Sequence, residues 1–167
     1  LGTFAAQLDG PERAVAAAQL ADGSLAVVKR EAVENAFTGE IARSEERMTF
    51  PVVPPLTLML IDRDQTNLYA GTSGGEIYWW RLDQGDDFPP QIASAGAAAG
   101  FVLTRIHDFP PHAADITLIA PSQRNRTFLA KDSGGELGIY FSTSERTLWK
   151  GRSPVEGATA MTLSPKG

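Results

Sequence analysis

A chain of 167 residues is long enough for one ordinary domain that hides roughly 70% of its surface on folding. Its 43% hydrophobic and 21% charged residues exclude disorder as the main state, and a net charge of −5 argues against a general nucleic-acid or anionic-membrane binder. The lack of cysteine removes disulfides, thiolate metal sites and cysteine nucleophiles without fixing a compartment, and no apolar run reaches the ~18 residues of a membrane span.

From the N-terminus, residues 1–19 fit a helix or a strand equally. Ala16–Ala21 then leads through Asp22-Gly23 into Ser24–Val28, and Asp-Gly between two short apolar runs is a strong hairpin signal. The same region reaches Thr38-Gly39-Glu40-Ile41. Four further strands are expected at about 56–61, 67–72, 76–82 and near 91–93, and another four at about 115–120, 127–131, 136–142 and 146–150. Between them, Asp62–Gln65 and Pro121–Asn125 supply polar turns, and Ser-Gly-Gly supplies the next.

These groups are copies of one another. Ser73-Gly74-Gly75-Glu76-Ile77 returns as Ser133-Gly134-Gly135-Glu136-Leu137 at an offset of 60 residues, and the register holds through the flanks. Leu56–Met59 matches Ile116–Ile119, and Leu68-Tyr69-Ala70 matches Phe128-Leu129-Ala130. Four short strands in roughly 40–45 residues is the arithmetic of a propeller blade. The offset exceeds that because of an insertion over 84–112, which holds two Asp-Phe-Pro-Pro motifs, an alanine-rich run and a possible strand at Phe101–Ile106. The fold expected is all-β: consecutive four-stranded antiparallel, blade-like meanders forming a partial β-propeller of about three blades. The units fall at about 12–52, 54–93 and 113–155 within one domain spanning 1–167. A fourth begins at 158, where Met161-Thr162-Leu163 echoes Thr117-Leu118-Ile119. Three units do not close a ring, so the piece is expected to pair with another copy or to leave an edge that a longer parent chain covers.

The Gly-Glu-[Ile/Leu] turns, the Leu68–Gly71 and Phe128–Ala130 strands and the closing Leu163-Ser164-Pro165 resemble WD40-type blades without the Trp-Asp signature. Asp22–Val27 and Asn67–Thr72 are similar to the large extramembrane insertion of proteobacterial permease subunits of the phosphate-uptake ABC transporter. That resemblance implies a segment on the periplasmic side of the bacterial inner membrane, outside the transport path and carried by a membrane-embedded parent. Its partners would be other transporter subunits, or further copies meeting at open blade edges.

Catalytic patterns are weak. Gly71-Thr72-Ser73-Gly74-Gly75 satisfies the nucleophile-elbow pattern, but that elbow needs a helix after it and a strand follows here. Asp132-Ser133-Gly134-Gly135 looks like a serine-protease nucleophile stretch, with the wrong flanks. Asp62-x-Asp64 lacks the glycine and glutamate of a calcium loop. Both patterns read as turns. Arg124, Arg126 and Lys131 flank a turn, but no Gly-Lys-[Ser/Thr] loop exists and the chain is acidic, so no dedicated phosphate site is expected there. Of Trp79 and Trp80, adjacent on a strand, one belongs in the core and the other between blades or at an interface. No catalytic, cofactor or metal residue is assigned, no cofactor is expected, and the chain reads as a non-catalytic interaction domain. The alternative is a hydrolase, or a metal or small-ligand sensor, using Asp86, Asp87, His107 and His112.

Overall fold

The computed structural model describes residues 3–9, 13–51, 53–83, 102–122 and 125–163. These form twelve strands in three four-stranded antiparallel sheets, each a simple meander. The first sheet comprises β1 (Phe4–Asp9), β2 (Arg13–Gln19), β3 (Leu25–Glu34) and β4 (Ile41–Phe50). The second comprises β5 (Leu56–Ile61), β6 (Asn67–Thr72), β7 (Ile77–Asp83) and β8 (Val102–Asp108). The third comprises β9 (Ile116–Pro121), β10 (Thr127–Asp132), β11 (Glu136–Phe141) and β12 (Arg146–Arg152). Among the described residues, no helix is long and apolar enough to cross a membrane.

Two strand assignments differ from the sequence reading. The ambiguous N-terminal stretch is strand, because β1 pairs with β2 from Phe4↔Ala18 to Asp9↔Arg13. The fourth strand of the second sheet is Val102–Asp108, inside the insertion, and it pairs with β7; residues 91–93 lie outside the described residues. From 158 to 163, where a fourth repeat is expected to begin, the chain has no regular secondary structure.

The sheets stack face to face. Side chains alternate across a strand, so a sheet covered on both sides buries both sets. Leu68, Ala70, Tyr78, Trp80 and Leu82 pack against Val15, Ala17, Leu25 and Val27 of the first sheet. The alternate set, Tyr69, Ile77 and Trp79, packs against Ile116, Phe128, Ala130 and Tyr140 of the third. Trp79 and Trp80 are thus both buried, one in each interface between sheets. At about 25 cal/mol per Å², each indole contributes roughly 4–6 kcal/mol of transfer free energy.

The inner strands repeat one bond. Thr3 Oγ1 donates to the Leu56 carbonyl and Thr57 Oγ1 to the Ile116 carbonyl, both at 2.5 Å, so the first strand of each sheet is tied to that of the next. A second bond also recurs. The turn between the second and third strands of each sheet carries a glycine at positive φ: Gly23, Gly75 and Gly135. Their carbonyls accept the N–H groups of Val53, His112 and Ser153 at 3.0, 2.9 and 2.8 Å. Each connection leaving a sheet is therefore clasped to that sheet's own turn.

Candidate functional site

The connection from β8 to β9 reads Phe109-Pro110-Pro111-His112. The two prolines hold it extended, so Phe109 and His112 both turn inward while Pro110 and Pro111 stay exposed. Phe109 meets Phe128 edge-on, with ring centroids 4.8 Å apart, and Tyr140 at 5.5 Å. His112 is fixed through its main chain by Gly75, whose missing side chain leaves room for the His112 carbonyl.

The His112 imidazole is enclosed by three groups from the third sheet. Its Nε2 is 2.8 Å from the hydroxyl of Tyr140. Its Nδ1 faces Asp132 Oδ2 at 3.5 Å and Glu136 Oε2 at 3.3 Å. The His112 and Asp132 side chains are 0% and 1% exposed. The other oxygen of Asp132 accepts the Glu136 N–H at 2.8 Å and closes the turn. Lys150 on the outer strand donates to the Pro111 carbonyl at 3.1 Å and pairs with Glu136 at 3.0 Å.

Burial holds His112 below its ordinary value of 6.5, and the Lys150 ammonium adds to this, against the opposing pull of Glu136 and Asp132. The ring is neutral at pH 7. Burial, with the same two carboxylates, pushes the Tyr140 hydroxyl up to about 12, so it keeps its proton. The two carboxylates facing Nδ1 favour the imidazole proton on that nitrogen, and in this tautomer Tyr140 donates to Nε2. Gly138 makes this possible, since the Tyr140 ring lies where a Gly138 Cβ would stand.

The sequence-derived candidates scatter. Asp86 and Asp87 lie outside the described residues. His107 belongs to β8, paired with Trp79, and its side chain is likewise outside them. His112 converges instead with Asp132, Glu136 and Tyr140. Gly71–Gly75 is the end of β6 and a turn into β7, where Thr72 Oγ1 accepts from Gly74 and Glu76 N–H groups. Asp132–Gly135 is the corresponding turn. Asp62 caps a hairpin, accepting from the Thr66 and Asn67 N–H groups. Lys131 is buried and donates to the Ala158 carbonyl at 3.4 Å, while Arg126 is exposed and Arg124 lies outside the described residues.

Among the described residues, His112, Asp132 and Glu136 are the group whose ligand atoms, all within 4.8 Å of one another, suit a metal ion. Two of its three members are sealed from solvent, and Lys150 pairs with the third, whose side chain is 35% exposed. The cluster joins the chain leaving the second sheet to the turn of the third.

No family model matches this chain, and no curated protein matches it. Its fold is similar to that of solved structures at low identity. The β-propeller domain of Cps50 (Swd1) from Myceliophteria thermophila is 16% identical with a TM-score of 0.58, over 96% of this chain and 46% of that one. A chain of the mitotic checkpoint complex is 11% identical with a TM-score of 0.55, over 100% and 41%. The computationally designed Ika8 protein is 14% identical with a TM-score of 0.51, over 89% and 36%. The chain thus spans less than half the length of each. The likeness defines the class: an all-β protein of consecutive four-stranded sheets, arranged as part of a β-propeller. It leaves the transporter-permease family unsupported.

Proposed function

We propose that this chain is a non-catalytic protein-interaction module made of propeller-type sheets. The observation that carries the reading is the buried state of His112 and Asp132, which turns the best catalytic constellation among the described residues into a structural clasp. Rigid sheets then leave loops and open sheet faces as the surfaces that meet other molecules.

The finer proposal is that the module belongs to the extramembrane part of a phosphate ABC transporter permease, on the periplasmic side of the bacterial inner membrane. Its support is the resemblance carried by Asp22–Val27 and Asn67–Thr72. Deleting the segment from its full-length protein should alter assembly or regulation and leave transport itself intact. Complete loss of transport with normal membrane insertion counts against an accessory role.

A second reading, a metal sensor, draws on the His112, Asp132 and Glu136 ligand atoms, whose 3.3 and 3.5 Å separations suit neighbouring ligands of one tetrahedral ion. Metal content of the purified chain against a variant with alanine at His107 and His112 decides it. Equal content in both removes this reading.

A further inference from the structure

Within the chain, the same interface between sheets is made twice. On one side are Ala17, Leu25 and Val27 of the first sheet, then Tyr69, Ile77 and Trp79 of the second. On the other side are Leu68, Ala70, Tyr78 and Trp80 of the second sheet, then Phe128, Ala130 and Tyr140 of the third. The 60-residue repeat places Leu129, Leu137 and Ile139 where Tyr69, Ile77 and Trp79 stand. These residues therefore form a face of the first kind on the third sheet, with Leu129 buried and Leu137 and Ile139 half-buried, and among the described residues no further sheet lies against it.

The first sheet has the converse. The positive-φ glycines Gly23 and Gly75 align Ala16, Ala18, Ala26 and Val28 with Leu68, Ala70, Tyr78 and Trp80. The pairing of Phe4 with Ala18, and of Ala18 with Ala26, puts Phe4 on this same face, where it is 75% exposed. The two unmatched faces are the two halves of an interface the chain already forms twice.

We propose that a second copy of this chain docks the outer face of its first sheet on the outer face of the third sheet, head to tail. The inference rests on the interaction-module reading and names one partner for it. The faces are apolar at their centres and their sizes complement: Ala16, Ala18, Ala26 and Val28 on one, half-buried Ile139 and exposed Trp149 on the other, with Arg30, paired with Glu45, at the rim where Leu82 stands in the repeat. Trp149, opposite Ile139 and 45% exposed, forms the open end of the third-sheet face. The chain after Ser153 crosses the other end, where Lys131 holds the Ala158 carbonyl, so the docked copy covers Ile139 and Trp149, beside the already buried Leu129. A heterologous contact of this kind builds a ring or an open chain of copies.

Sedimentation equilibrium of the whole chain tests this at concentrations up to ~100 µM, about a hundredfold above a micromolar Kd. The wild type should self-associate. Ala16→Glu and Trp149→Glu change one exposed residue on each face, and each variant alone should be monomeric with an unchanged circular dichroism spectrum. An equimolar mixture should form a 1:1 dimer and nothing larger, because each variant keeps the half that the other has lost. A monomeric wild type overturns the proposal and leaves the interaction-module reading standing for other partners. So does wild-type association by either single variant, which places the contact on another surface.

Discussion

Tyr140 holds its hydroxyl 2.8 Å from His112 Nε2, across 28 residues of chain and between two different sheets' territories. The histidine belongs to the connection leaving the second sheet, and the tyrosine to the third strand of the next. Their bond, with the His112 N–H on the Gly75 carbonyl, fixes how one sheet hands the chain to its neighbour.

Replacing Tyr140 with phenylalanine keeps the aromatic packing on Phe128 and Phe109 and removes the donor to Nε2. A buried acceptor left without a partner costs about 1–3 kcal/mol. Chemical denaturation should show that loss with an unchanged slope, and the far-ultraviolet circular dichroism should be native. Loss below about 0.5 kcal/mol would mean that the hydroxyl is not bonded to the ring.

His112 also predicts a pH dependence. Its folded-state value lies below the ordinary 6.5 because burial disfavours the charged ring, so the unfolded chain takes up the proton first as pH falls. The contribution is fully present above the unfolded value near 6.5 and declines below it, by up to about 1.4 kcal/mol for each pH unit. Melting temperatures between pH 7.5 and 5 should fall more steeply for the wild type than for His112→Asn. Parallel profiles would show that His112 is as protonated folded as unfolded.

Much of this arrangement was legible in the sequence, for one physical reason. Strands buried on both faces need nearly continuous apolar runs closed by turn residues, so Leu68–Thr72 and Phe128–Asp132 announced themselves together with their shared turn. The strand Val102–Asp108 was harder to place because it follows a long insertion, and the repeat offset gives no register across it. The clasp around His112 was hidden because its members lie far apart in sequence and each looks ordinary alone. A signal was nevertheless present. At the 60-residue offset, Thr72 becomes Asp132, Tyr78 becomes Gly138 and Trp80 becomes Tyr140. These departures from the repeat all occur in residues that shape the pocket of one histidine.

The turn glycines make a paired prediction. Gly75 and Gly135 share a positive φ, +81° and +87°, so alanine at either carries the left-handed penalty of roughly 1–2 kcal/mol. At Gly135 a Cβ would meet nothing within 4 Å, and the cost should stop there. At Gly75 it would strike the His112 carbonyl, displacing the connection and loosening the histidine. Gly75→Ala should therefore be less stable than Gly135→Ala by a further ~1–3 kcal/mol, the usual cost of overpacking. Equal losses in urea unfolding would show that the connection yields freely at His112.

Gly138 separates packing from hydrogen bonding at the same site. It lies two residues from Tyr140 on the same face of β11, and the tyrosine ring fills the space above it. Alanine there would strike the ring near its hydroxyl, and Tyr140 is fully buried, so the ring has no free volume into which to swing. The displaced hydroxyl would lose His112, and the ring would lose its stacking on Phe128, at 5.3 Å between centroids. Gly138→Ala should thus cost more than Tyr140→Phe, by roughly 1–3 kcal/mol of overpacking. Combining the two substitutions should cost less than the sum of the singles, because the bond to His112 that each one loses is counted once, while the ring carbons next to the new methyl group stay in its way. A double mutant whose loss equals the sum of the singles would show that Gly138 and the Tyr140 hydroxyl act independently.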